Sequence, residues 1–170
     1  MKATEVIADG FGRIRELVHE VVDGLPAQSL NAQVDPGANS ITWLVWHLTR
    51  IQDDHIADAA DLEQVWRSGD WAARFALPVP AGSTGYGHTA RQVASVRVDS
   101  GELLLGYHDA VHEQTVRFVR GLAAADLERV VDERWDPPVT LGVRLVSVLG
   151  DDWQHAGQAA FVRGLLERRG

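Results

Sequence analysis

Asp151, His155 and Gln158 stand in the stretch DDWQHAGQ, residues 151–158, between the apolar runs VRLVSVLG and AAFVRGLL. On a helix, Asp151 lies one turn before His155, so a carboxylate and an imidazole share one face. Two side chains so placed can hold a metal ion together, and they can equally form a plain ion pair. Asp152, at i−3, competes with Asp151 for the same role, and spacing alone does not choose between them. WLVWHLTR (43–50) supplies a second imidazole, His47, among Leu44, Leu48 and Ile51 on an inward stripe. If that helix faces residues 151–158, His47, Asp151 and His155 make a set of two imidazoles and one carboxylate. Such a set suits zinc, nickel, iron or another divalent ion. Burying these groups without a partner costs several kcal/mol, and coordination is one way to offset that cost.

The other histidines carry weaker patterns. His108 and His112 are at i and i+4 and form a second candidate ligand pair. His19, beside Glu20, reads as a surface residue. His55 continues the His47 stripe two turns on, about 12 Å along the axis and too far to share one ion. His88 lies in the loop sequence YGHT, where contact with a ligand and plain solvent exposure both fit.

The bulk composition excludes other chemistries. A chain of 170 residues is sized for one domain, 1–170. There is no cysteine, which rules out disulfides, zinc–thiolate sites and a thiol nucleophile of the protein's own. A formal charge of -8 opposes nucleic-acid binding. No apolar run reaches the roughly 20 residues of a membrane span, and no signal-peptide pattern opens the chain, so a cytoplasmic location is expected. Neither a phosphate-binding glycine loop nor a G-x-S-x-G elbow is present.

Four long amphipathic segments must position these residues. The first runs from about Thr4 to Asp23, with Ile7, Phe11, Ile14, Val18, Val21 and Val22 at helical spacing. The second runs from about Ser40 to Val65, with Asn39 and Ser40 as candidate N-caps. The third spans about Ser100 to Leu122, with Leu104, Tyr107, Val111, Thr115, Phe118 and Leu122 on one stripe. The fourth runs from about Thr140 to Glu167, with Leu145, Val148, Asp152, His155, Ala159, Val162 and Leu166 inward. Residues 67–99 read as a long Gly- and Pro-rich loop interrupted by a short helix that TARQ (89–92) opens as a capping box. Residues Asp126 to Pro138 read as a connector. The pattern predicts an all-α four-helix bundle.

On WLVWHLTR, the long connection and D-x-x-x-H-A-G-Q, the chain resembles the DinB superfamily. That resemblance implies an up-up-down-down bundle with a long crossover. It also implies a divalent metal, zinc first, then nickel, iron or manganese, on His47, Asp151 and His155. Asp151 stands where the family commonly carries a histidine, which shifts preference toward harder metals, while Gln158 matches the glutamine after the last ligand. IADGFGRIRELV, NSITWLVWHLTR and TGYGHT are further similar to an actinobacterial, mycothiol-dependent branch of the superfamily. That likeness implies transfer of the mycothiol thiol to an electrophilic small molecule, a detoxification reaction. Gln158, Asp54 and Arg50 would orient ligands or take the thiol proton, and Trp46, Trp153, Tyr86 and His88 would wall the pocket. Other readings are a mycothiol-dependent maleylpyruvate-type isomerase, with Arg50 aimed at substrate carboxylates, a metal-dependent hydrolase, and a non-catalytic stress-response or binding bundle. Expected partners are a small-molecule thiol and an electrophile, with a homodimer compatible with each reading.

Overall fold

The computed structural model describes residues 2–169. Helix α1 (Ala3–Val22) and the single turn α2 (Ala27–Leu30) lead into α3 (Ile41–Ala60). Three short helices, α4 (Val65–Ser68), α5 (Trp71–Phe75) and α6 (Ala90–Ser95), punctuate the crossover. α7 (Gly101–Gly121) is followed by a 3₁₀ turn, Ala124–Glu128. The short antiparallel pair β1 (Val130–Asp132) and β2 (Val139–Thr140) then leads into α8 (Leu141–Arg169).

The apolar stripes bury as their spacing requires. Ile7, Phe11, Ile14, Val18, Val21 and Val22 of α1 join Leu104, Tyr107 and Val111 of α7 in the core, with Leu145, Val148 and Ala159 of α8. α3 differs from the other three. Every residue from Ile41 to Arg50 is buried, because α7, α8 and the crossover enclose it on all sides. Its start is fixed by Ser40, whose hydroxyl accepts the Trp43 N–H. Thr89 caps α6 in the expected box with Gln92.

Two expectations are corrected. α3 stops at Ala60 rather than continuing to Val65, since Asp61 takes a left-handed conformation with φ 54° and ends the hydrogen-bond ladder. The helix directions also differ from up-up-down-down. Val22 and Leu30 both pack at Gly101, and Asn31 bonds Thr42 and Val98, so α1 ends where α3 and α7 begin. α3 therefore returns antiparallel to α1. Thr49 meets His108 and Gln52 meets Thr115, so α7 runs with α3. Gly10 meets Leu149, and Arg163 reaches Val21, so α8 runs with α1. The order is up-down-down-up. The long crossover, residues 61–100, joins the two parallel helices α3 and α7, which such a connection must do.

Among the described residues, no helix is long and apolar enough to cross a membrane.

Candidate metal centre

α3 and α8 pack antiparallel and bring His47 opposite Asp151 and His155. One ligand atom from each of these three residues lies within 4.8 Å of the others. It is the only such group of His, Cys, Asp and Glu among the described residues. The imidazole rings of His47 and His155 have centroids 4.7 Å apart and meet edge to face.

The tautomers are set by backbone carbonyls. Nδ1 of His47 donates to the Thr84 carbonyl, and Nδ1 of His155 donates to the Asp151 carbonyl at 2.8 Å. A neutral imidazole that donates from Nδ1 carries its lone pair on Nε2. Oδ2 of Asp151 is buried without a hydrogen-bond partner. It lies 3.4 Å from the same His155 Nδ1, whose hydrogen is already directed at the carbonyl. Two oriented imidazoles and one unsatisfied carboxylate oxygen fit a divalent cation.

The charges agree with that fit. Burial pushes His47 down, partly offset by the Thr84 carbonyl, and holds it neutral. Burial opposes the charged forms of Asp151 and His155 too, but their mutual attraction outweighs it. Asp151 is held below the ordinary carboxylate range, and His155 is raised above the ordinary imidazole range.

The crossover forms the roof. Thr84 is held over His47 by Gly85, which has φ +93°. A Cβ at Gly85 would fall 2.7 Å from His47 Nδ1 and 3.0 Å from the Trp46 ring, so no larger residue lets the loop approach this closely. Trp43 stacks on His47 with centroids 4.6 Å apart. Trp43 Nε1 donates to His88 Nδ1 at 3.2 Å, and His88 Nε2 meets Ser83 Oγ at 2.7 Å. His88 itself stacks on Trp46. Burial lowers its basicity, consistent with a neutral ring that accepts at one nitrogen and donates at the other.

The remaining candidates separate into near and distant groups. Asp152 is not the carboxylate of the cluster: it is fully buried, and neither oxygen has a partner. Burial, reinforced by Asp151, pushes its carboxyl well above the ordinary range. Trp46 and His88 belong to the aromatic roof. Tyr86 points away at 89% exposure, and Trp153 and Gln158 lie on the outer face of α8. Arg50 is fully buried and serves as an internal clasp. Its guanidinium bonds the Ser83 carbonyl, Gln64 Oε1 and Tyr107 Oη, lies 3.5 Å from Asp53 and sits over the Trp66 ring. It is not aimed at a substrate carboxylate, which removes the residue on which the isomerase reading depended. Asp54 accepts from Gln64, the residue that holds Arg50.

His108 is fully buried with Nδ1 on Thr49 Oγ1, and no carboxylate joins it and His112 in a ligand cluster. His19 is not a free surface residue, because it binds Asp109 at 2.8 Å together with Arg15. His55 accepts from Arg144 at 2.9 Å at the lower end of the α3–α8 seam.

Sequence reasoning missed Trp43, Thr84 and Gly85. W-x-x-x-H places Trp43 one turn before His47, and that spacing was available. G-Y-G signals left-handed backbone, but what Gly85 approaches is a tertiary fact.

The crystal structure of a conserved protein from Enterococcus faecalis is 32% identical, with a TM-score of 0.90 over 96% of each chain. No curated protein matches. The DinB superfamily signature matches residues 11–159, which include all three clustered residues. Family signature and bundle agree over nearly the whole chain, and the protein belongs to the DinB superfamily.

Proposed function

We propose that His47, Asp151 and His155 hold a divalent metal, zinc in the first instance, and that the protein is a metal-dependent thiol S-transferase. The observation that carries this reading is the convergence of two carbonyl-oriented imidazoles and an unpartnered carboxylate oxygen within 4.8 Å. A bound divalent cation supplies positive charge that favours thiolate over thiol at neutral pH.

The chain's own groups prepare that site. The Thr84 and Asp151 carbonyls keep the Nδ1 hydrogens in place, so both imidazoles present Nε2. Trp43 stacks on the His47 ring, and His88 stacks on Trp46 beside it. Asp151 contributes the one formal negative charge of the set, leaving a divalent centre with net positive charge. With no cysteine in the chain, the reacting sulfur arrives on a cosubstrate. We propose mycothiol for that cosubstrate and an electrophilic small molecule as the acceptor, with the reaction in the cytoplasm.

The test is conjugation of a bimane electrophile by the zinc-loaded protein with mycothiol, glutathione and bacillithiol in parallel. The reading expects turnover with mycothiol that disappears in His155→Ala. Turnover with another of the three thiols would keep the transferase and replace the cosubstrate. Metal binding without thiol turnover would overturn the transferase and leave hydrolysis or a non-catalytic bundle.

A further inference from the structure

The seam between α3 and α8 continues past the metal centre. Two turns beyond His47, about 10 Å along the axis, Asp54, His55 and Asp58 follow on α3. Arg144 of α8, two turns before Asp151, meets them from the other side. With Glu63 and Arg67 beyond the end of α3, they enclose a pocket of about 440 Å³, within the range of small-ligand sites.

His55 is held as a hydrogen-bond donor in this pocket. Arg144 Nη1 donates to His55 Nδ1 at 2.9 Å, so the ring keeps its hydrogen on Nε2. Burial, then the Arg144 charge, holds the ring below the ordinary imidazole range. Arg144 is itself fixed by Asp132, which accepts from its Nη2 at 2.9 Å and from Arg134 through both oxygens. Three residues thus orient one N–H for which the described residues provide no acceptor.

The rest of the lining mixes acceptors with donors. Four carboxylates and three guanidiniums line the pocket, and only Ala57 and Leu62 offer apolar side chains. Asp58, Glu63 and Arg67 are exposed, and their side chains make no hydrogen bond or ion pair among the described residues. This mixture selects a chemistry. A carboxylate or phosphate would meet four negative charges, and an apolar group would take water from charged side chains and give them nothing in return. A hydroxyl both donates and accepts. A ring that carries several hydroxyls can donate to Asp58 and Glu63 while it accepts from His55 Nε2 and Arg67.

We infer that this pocket binds a polyhydroxylated ring of the sugar or cyclitol type and anchors there a ligand whose other end reaches the metal. An arm of about three extended residues covers the distance. That the other end is a thiol rests on the transferase reading; the binding of the ring does not.

Saturation-transfer NMR on the metal-free full chain tests the pocket without turnover. The probes are glucosaminylinositol, which has no thiol, and galactinol, its uncharged counterpart. Both should receive magnetisation from the wild type and from His155→Ala, and neither from Asp58→Ala or Arg67→Ala, whose far-UV circular dichroism should not change. A second arm reads the zinc-loaded protein when it conjugates bimane. Asp58→Ala and Arg67→Ala should each raise KM for mycothiol about tenfold, the loss expected of one hydrogen bond to a charged group. KM for N-acetylcysteine, which carries a thiol without the rings, should not follow. No transfer to either probe would overturn the proposal. So would transfer to glucosaminylinositol alone, which would make the pocket a cation site, or transfer that survives both substitutions. An inactive protein that binds both probes would sink the transferase reading and leave the ring site standing.

Discussion

Gly85 controls the His47 imidazole although its own hydrogen bonds go to Ser83 and His88 and none goes to that ring. Its positive φ and the 2.7 Å approach that a Cβ would make to His47 Nδ1 leave no space for alanine. Gly85→Ala should cost about 1–3 kcal/mol of stability. It should also weaken zinc binding about 10- to 100-fold by displacing the Thr84 carbonyl that orients His47. Urea unfolding and zinc titration of the variant check both effects.

His108 provides a separate test away from the metal. Burial, then its neighbour His112, lowers its pKa to about 3. The folded protein keeps this ring neutral, whereas the unfolded chain protonates it near pH 6.5. Its contribution to stability is therefore full above pH 6.5 and is lost as pH falls toward 3, by up to about 1.4 kcal/mol per pH unit. Urea midpoints of His108→Gln should fall less than those of the wild type between pH 6.5 and 4. Parallel profiles would show that His108 does not carry the linkage.

At the scale of elements, Arg50 fastens the crossover to the buried helix. It joins α3 to Ser83 and Gln64, while Asp53 accepts the Val65 and Trp66 N–H groups that open α4 and also the Tyr107 hydroxyl of α7. Removing one member of such a buried charged network costs about 3–5 kcal/mol. Arg50→Met should lower the melting temperature and expose residues 61–100 to proteolysis. Arg50→Lys should rescue little, because an ammonium cannot replace the planar fork that spans Gln64, Ser83 and Tyr107. An undiminished melting temperature in Arg50→Met would deny the clasp its structural role.

The sequence carried the elements better than their arrangement. Ile7, Phe11, Ile14 and Val18 repeat with the helical period and are all buried; Ser40 and Thr89 are capping residues and act as caps. The end of α3 was hidden because an aspartate, not glycine or proline, takes the left-handed turn at position 61. The helix directions depend on which ends meet, as where Asn31 bonds Thr42 and Val98, and no periodicity encodes that. At the site, His47 and His155 were legible from their inward positions. Asp151 and Asp152 differ by one step around the helix, so only packing could place one in the cluster and the other in the interior. Arg50 reads as a functional cation in sequence and becomes a structural one when Gln64 and Asp53 close around it.

The whole molecule is an acidic bundle with a centre that joins its second and last long helices. A metal bound there ties α3 to α8, so it should stabilise the folded chain as well as supply chemistry. With free zinc at 100 times its dissociation constant, the gain expected from mass action is about 2.7 kcal/mol. Thermal melts with and without chelator should differ in the wild type and coincide in His155→Ala. The central claim, that His47, Asp151 and His155 bind the metal, is tested most directly by zinc stoichiometry and affinity across single alanine variants. One ion per chain is expected in the wild type, with binding lost in His47→Ala and His155→Ala, strongly weakened in Asp151→Ala and retained in Asp152→Ala. Binding that survives removal of both histidines, or that is lost with Asp152 but not with Asp151, would contradict it.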